Sequence, residues 1–469
     1  MSQRGQHQRN SRVAAVLATF VLLAAACSGA DPSGDDIADD ASSAPPTTTA
    51  TESNNADAGE SPTTAPPSAD ASPAPGGSEA DAAILSDLPG VVAWRSAEGD
   101  IVTSSPGGTD REVWSSGDEF LSMQPTWAAE ERVLAWSRSS VDNAEVATAN
   151  VETGETTIVP TSNPPFYLSW SPDADRLLGL RNGIGGLETV FVDIDQQAVD
   201  TASFGQPFFS DWSSNDSLVA ASSGLVIVDI DVNDLSVDIR DIDAPLGVLQ
   251  TPVVLSGGDV IATTATIDSN EVSRITVDGT RTALASTDGP VVLSLSPDET
   301  RLAVLTIPVE GETEFISFTP GDARAQSELV QGELTELPAG VVSIIDLETG
   351  AIRSRSETDV VALNWSPTGD HLGLLRFRAN ELQWLFGDAD DERSPAVESA
   401  TFRPTTEFAR SYLPFMDQYD RSSTWWSPDG LAFVFAGTTF GREGIWIDRI
   451  DDEVGPAFFA EGDIAFWSS

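Results

Sequence analysis

A Trp-Ser-Pro-Asp anchor returns about every 42 residues along most of this chain. Each anchor is followed by a tight turn and short apolar or alternating runs, and partial units at the two ends complete one another. These three observations predict an all-β fold: a single β-propeller with eight blades, or seven as the alternative. The ring is closed by strands from both termini and stands behind a disordered N-terminal tether.

In chain order, the first segment predicted is an export signal, residues 1–26. Arg4, Arg9 and Arg12 precede an uncharged run from Val13 to Ala26, which is too short to cross about 30 Å of hydrocarbon. The stretch "LLAAAC" at 22–27 resembles a bacterial lipoprotein signal, which implies Cys27 as the acylated residue. Ordinary cleavage after Ala24-Ala25-Ala26 is the other reading. Cys27 is the single cysteine, so no intrachain disulfide forms, and acylation would give an exported thiol a role.

Residues 27–83 are rich in Ser, Thr, Pro, Ala and Asp, as in "SSAPPTTTATESNNADAGESPTTAPPSADASPAPGG". Such a composition buries too little apolar surface to offset the entropy of ordering, so a disordered tether open to O-glycosylation is expected. Charge narrows the partners. The chain holds 24 basic and 74 acidic residues, a formal net charge of −50, with no Lys at all. Nucleic acid and anionic lipid surfaces would repel it. The balance suits adaptation to salt, or an acidic face for cations or a basic partner.

The folded part is expected over residues 84–469, which hold all 12 Trp. Its anchors are Trp127, Trp170, Trp212, Leu255, Leu295, Trp365, Trp426 and Trp467, as in "SWSPDADRLLGL" (169–180), "NWSPTGDHLGLL" (364–375) and "WWSPDGLAFVF" (425–435). Two long steps imply insertions near 308–338 and 388–424. Pro, Asp and Gly after the anchor suit a turn. Runs such as "RLAVL" and "LAFVF", then "VFVDID", "VIVDID" and "IWIDRID", read as strands, the alternating ones half-buried with Asp outward. One blade cannot bury both its faces, so the anchor Trp residues are expected to pack between neighbouring sheets. "DIAFWSS" (463–469) has an anchor without following strands, and 91–114 has strands without an anchor, so together they make one blade.

This repeat resembles the TolB-type, WD-like propeller repeat of bacterial envelope proteins, over residues 84–469. Leu255 and Leu295 in place of Trp, and "SGGD" (256–259) and "AAEE" (128–131) in place of Ser-Pro-Asp, depart from its pattern. The family includes protein-binding propellers and the propeller halves of prolyl-oligopeptidase-type peptidases. A peptidase reading needs a hydrolase domain, for which the chain leaves no room, and no G-x-S-x-G elbow is present. Of two His, His7 falls in the signal. His371 takes the turn position of Arg176 and Arg301, so neither a Ser-His-Asp triad nor a His-based zinc site is expected. In "DIDVNDLSVDIRDID" (229–243) Asp231, Asn233 and Asp234 lack the Gly and closing Glu of a calcium loop. No metal, cofactor or catalytic residue is expected.

The second insertion is distinctive. "FRPTTEFARSYLPFMDQYDR" (402–421) carries Phe402, Arg403, Phe408, Arg410, Tyr412, Phe415, Met416, Tyr419 and Arg421, the residue types that protein interfaces concentrate. They make a candidate partner site or pack the insertion onto the propeller. Strand order puts both insertions, in consecutive blades, on the face opposite the Ser-Pro-Asp turns, close enough to touch. The tether enters near Pro89 on the turn face. The function expected is non-catalytic protein binding by a monomeric, exported lipoprotein on the outer face of the bacterial cytoplasmic membrane, with a periplasmic or extracellular place as the alternative. The alternative is small-ligand binding or enzymatic activity, with a sugar or redox cofactor, at the channel mouth.

Overall fold

A computed structural model describes residues 78–468 apart from 116–118, 130–131, 185, 203–208, 222–223, 232, 243–245, 247–250, 266–269, 309–333, 392 and 452–453. The expected signal, Cys27 and most of the tether lie outside the described residues, as does most of the first insertion. No helix among the described residues is long and apolar enough to cross a membrane.

The described strands form six four-stranded antiparallel sheets and one seven-stranded sheet. In the first blade the late strand Gly462–Trp467 pairs with Val92–Ser96, so residues from the two ends share one sheet. The next five blades begin with Leu121–Trp127, Tyr167–Trp170, Phe209–Ser214, Val253–Val254 and Val291–Leu295. The seven-stranded sheet holds two repeat units. Val360–Trp365, His371–Arg378, Glu381–Asp388 and Val397–Pro404 form one, and Ala432–Thr439, Arg442–Arg449 and Ala457–Ala460 form most of the other. A bridge from Trp426 to Phe433 supplies the eighth unit's inner edge. The two units fuse where Arg403 and Pro404 pair with Thr438 and Gly437. A Cβ on Gly437 would sit 2.6 Å from the Arg403 carbonyl oxygen, so this crossing requires glycine. Inner strands of neighbouring blades lie side by side around a common axis, which makes the ring a propeller.

The anchors do two jobs. In the turn, Ser171 Oγ donates to Asp173 and accepts the amide of Arg176, and Ser427 does the same with Asp429 and Ala432. Serine and aspartate thereby close the link between the first two strands of a blade. The indole reaches backwards to the preceding blade. Trp170 Nε1 donates to the Thr126 carbonyl, Trp365 to the Ser294 carbonyl and Trp127 to the Phe466 carbonyl, each acceptor just before the neighbouring anchor. Trp426 donates to the side chain of Asn364 in the same place. A buried indole gains from an acceptor, and for these four anchors the repeat places one a blade away.

Four expectations are corrected. The anchor position of the fifth blade is Val254, not Leu255. Val254 pairs with Val260 and packs toward the fourth blade, while Leu255 turns into the fifth and sixth. A turn of different length shifted the register by one, which reverses the face. Third-strand aspartates are not uniformly outward. Asp193 and Asp448 are buried, because neighbouring blades cover both faces of the strand, and Asp193 lies 3.6 Å from its cross-strand partner Arg176. The folded part begins before residue 84, with a helix Glu79–Leu85 whose capping box is formed by Ser78 and Asp81. It docks Leu85 and Leu88 into the core, beside Ala457–Ala460. Finally, residues 388–404 are not insertion but the return to the outer strand Val397–Pro404.

Candidate functional site

The segment between Pro404 and Thr424 leaves the outer strand of the seventh unit and runs into the axis of the ring. It folds as one π turn, Phe408–Tyr412, one 3-10 turn, Leu413–Phe415, and a short helix, Met416–Tyr419. Pro414 at the start of a turn and the spacing of Phe408, Tyr412 and Met416 suit a compact helical path.

Its partners come from inner strands all round the ring. Where it enters, Thr405 Oγ1 donates to the Asp463 carbonyl, and Arg95 holds both Asp463 and Glu407, at 2.9 and 3.0 Å. Further in, Gln418 accepts the amide of Ser210 and donates to the Ser210 carbonyl and to Tyr167 Oη. Tyr419 Oη donates to Gln124 at 2.8 Å. Thr126 Oγ1 donates to the Ser422 carbonyl, and Ser294 Oγ donates to Asp420. The helix Met416–Tyr419 packs against Val291–Leu295 and Val360–Trp365. With Thr251 of the fifth blade, which donates to Asp417, these contacts reach seven of the eight units, so the segment is a plug in the channel.

All three tyrosines of the chain meet there. Tyr419 lies 5.3 Å from Tyr167 and 4.4 Å from Tyr412 between ring centroids, and Tyr412 faces Phe466 at 5.4 Å. Burial pushes all three phenols up, Tyr419 and Tyr412 strongly. Three carboxylates also enter the channel with one guanidinium. Burial raises Asp211, Asp417 and Asp420 above the ordinary carboxylate range, and Arg421 opposes it. Asp417 is held by Thr251 Oγ1 at 3.1 Å, and Asp211 accepts the Val254 amide at 2.9 Å. Among the described residues no group of three His, Cys, Asp or Glu is placed to hold a metal ion.

The candidate partner residues are therefore divided. Phe408, Tyr412, Met416 and Tyr419 are buried in the plug, Phe415 is half-buried, and Phe402 is buried on an outer strand against Phe435. The rings in the plug pack inside the propeller, because the axis offers an apolar segment more contact than the outer face does. Arg403 and Arg410 remain exposed. Among the described residues the two insertions do not meet. The described end of the first places Glu336 and Leu337 along Ser286 in the outermost strand of the fifth blade, while the second lies on the axis. Thr251, Asp211 and the polar plug residues Asp417, Gln418 and Asp420 went unnoticed in the sequence. The signal for the last three was in view, since a surface insertion has no use for large apolar residues at helical spacing between them.

No family model matches the chain, and no curated protein matches it. Among solved structures it resembles a eukaryotic initiation factor, at 12% identity over 81% of this chain and 98% of the other, with a TM-score of 0.47. It also resembles the dihydro-heme d1 dehydrogenase NirN in complex with DHE, at 12% identity over 81% and 75%, TM-score 0.49. TolB from Acinetobacter baumannii is similar at 13% identity over 59% and 67%, TM-score 0.32.

Proposed function

We propose that this propeller is a protein-binding scaffold of the bacterial envelope, exported and held at the membrane through a lipid on Cys27. The observation that carries the reading is the plug. A small substrate or cofactor at the mouth of a propeller needs room in the channel, and residues 405–423 occupy that room with hydrogen bonds to inner strands all round the ring. What is left for recognition is the two outer faces and the rim. The TolB-like repeat supports the assignment to the envelope, and the run ending at Cys27 supports the anchor.

The place where the chain passes from the helix Glu79–Leu85 into the first blade, with Asp87 bonded to Arg449, supports an orientation. Trp467 Nε1 donates to the Pro89 carbonyl, and Gly90 lies against Pro428 of a Ser-Pro-Asp turn. The tether thus leaves from the turn face, and the face by which the plug enters points away from the membrane.

In-cell crosslinking of the tagged full chain, followed by purification, tests the reading, with a Cys27→Ser chain alongside. One protein recovered in near-equal amount, and release of Cys27→Ser from the membrane fraction, are expected. Turnover or a tightly held cofactor in the purified chain, with no crosslinked protein, would overturn it.

A further inference from the structure

Three blades begin their second strand with an arginine or a histidine lodged against the next blade. Arg176 lies 2.6 Å from Asp216 and reaches the Asn215 carbonyl. Arg301 donates to the Gly369 carbonyl and to Asp390, both at 2.9 Å, with its guanidinium 4.9 Å from the Trp365 ring centre. His371 stacks on Trp426. Each stands across the ladder from an aspartate: Asp193, Asp346 and Asp388.

The strand register puts Ser217 at this position in the fourth blade, since Leu218 pairs with Trp212 as Leu302 pairs with Leu295. Its cross-strand aspartate is still present as Asp229. In the fifth blade Gly258 stands where Gly369 does, three residues into the same turn. Asp278 stands where Asp390 does, counted from the pairs Val260–Ile275 and Leu372–Gly387. Val254 replaces Trp365. The positions of the acceptors are thus retained, while the second-strand arginine and the indole beneath it are gone; Asp229 now accepts from Ser217 Oγ and Arg240, and Asp278 from Thr276 Oγ1 and the Thr280 amide. A solvent-open cleft of about 220 Å³ remains, lined by Ser217, Val219, Ile227, Arg240, Gly258 and Val277 among others. Arg240 holds Asp229 from the outermost strand and is 56% exposed. Its register counterpart Arg353 shares the sixth blade's slot with Arg301, so the slot accommodates two guanidinium groups.

We infer that the cleft between the fourth and fifth blades is a binding site for an arginine side chain from a basic segment of a protein partner. The methylene stem packs on Val219, Val260 and Val277, and the guanidinium meets the Gly258 carbonyl and the Asp229 and Asp278 carboxylates. A net charge of −50 draws a basic segment toward the whole surface. The cleft converts that general attraction into a place. It opens on the turn face, from which the tether leaves.

This deepens the scaffold reading and rests on it for the occupant's being part of a protein. The probe is acetyl-arginine-N-methylamide, titrated into the full chain and followed by backbone amide NMR, with the lysine analogue as control. Shifts confined to residues 213–219 and 258–260, at least ten-fold tighter for arginine than for lysine, are expected. They should vanish in Ser217→Arg, which fills the slot from within, and in Ser217→Leu, which fills it without charge. No localised shift, or equal binding by wild type and both variants, would overturn the site. In-cell crosslinking separates the two readings. A partner lost only from the Ser217 variants supports both, one captured equally by all sinks the cleft alone, and none captured by the wild type sinks the scaffold.

Discussion

Trp365 shows how much one residue contributes to the ring. Its indole N–H bonds the Ser294 carbonyl at 3.0 Å, and its face carries the Arg301 guanidinium. Trp365→Phe keeps most of the apolar contact and removes that hydrogen bond, so a loss of about 0.5–1.5 kcal/mol is expected from the urea midpoint. Trp212 provides the contrast, since its buried Nε1 finds no hydrogen-bond acceptor among the described residues. Trp212→Phe should move the midpoint less than Trp365→Phe, and an equal or larger loss would refute the stapling role. Gly90 adds a backbone case. At φ +87° its absent Cβ would sit 2.7 Å from Trp467 Nε1. Gly90→Ala should cost about 1–3 kcal/mol, and an unchanged midpoint would show that the joint there is loose. The Ser-Pro-Asp chemistry was legible in the sequence because it is local. The indole acceptors were not, because each lies one blade away.

The plug is the element that departs most from the repeat. Gln418 makes three hydrogen bonds to Ser210 and Tyr167. Gln418→Ala should cost about 2–4 kcal/mol and speed amide exchange over 405–423 before the blades open. The buried carboxylates give the plug a pH dependence of definite sign. Asp417 and Asp420 are raised above 3.8 by burial, so above 3.8 the folded state holds protons that the unfolded state has released. Their contribution is fully favourable below that value and is lost as pH rises through the raised ones. The double variant Asp417→Asn with Asp420→Asn should therefore show a flatter stability profile than wild type as pH rises above about 4. Parallel profiles would mean that both carboxylates stay ionised in the fold. Composition marked this segment as unusual, yet could not place it. Aromatic and Met residues suit an interface with a partner or with the chain's own channel equally well, and only the ring's geometry creates the channel.

For the whole molecule, closure is the decisive feature. The strand Gly462–Trp467 completes the first blade, supplies the Phe466 acceptor for Trp127 and packs Phe466 against Tyr412 and Trp425. Removing 462–468 leaves Val92–Ser96 as an open edge and uncovers the plug, so cooperative unfolding should be lost, with aggregation seen by size-exclusion chromatography. A truncated chain that unfolds as sharply as the full one would show that the ring does not need closing. By itself the sequence determined the all-β class, the repeat, the first strand pairing of most blades and the joining of early and late strands. Those features follow from alternation, turn chemistry and spacing along the chain. Only the tertiary structure decided that Val254 is an anchor, that Asp193 faces a neighbouring blade and that residues 405–423 turn inward. It also decided that Ser217 stands where its sisters hold an arginine or a histidine. Each of those depends on what stands across a blade interface or the central axis, and sequence neighbours carry no record of that distance.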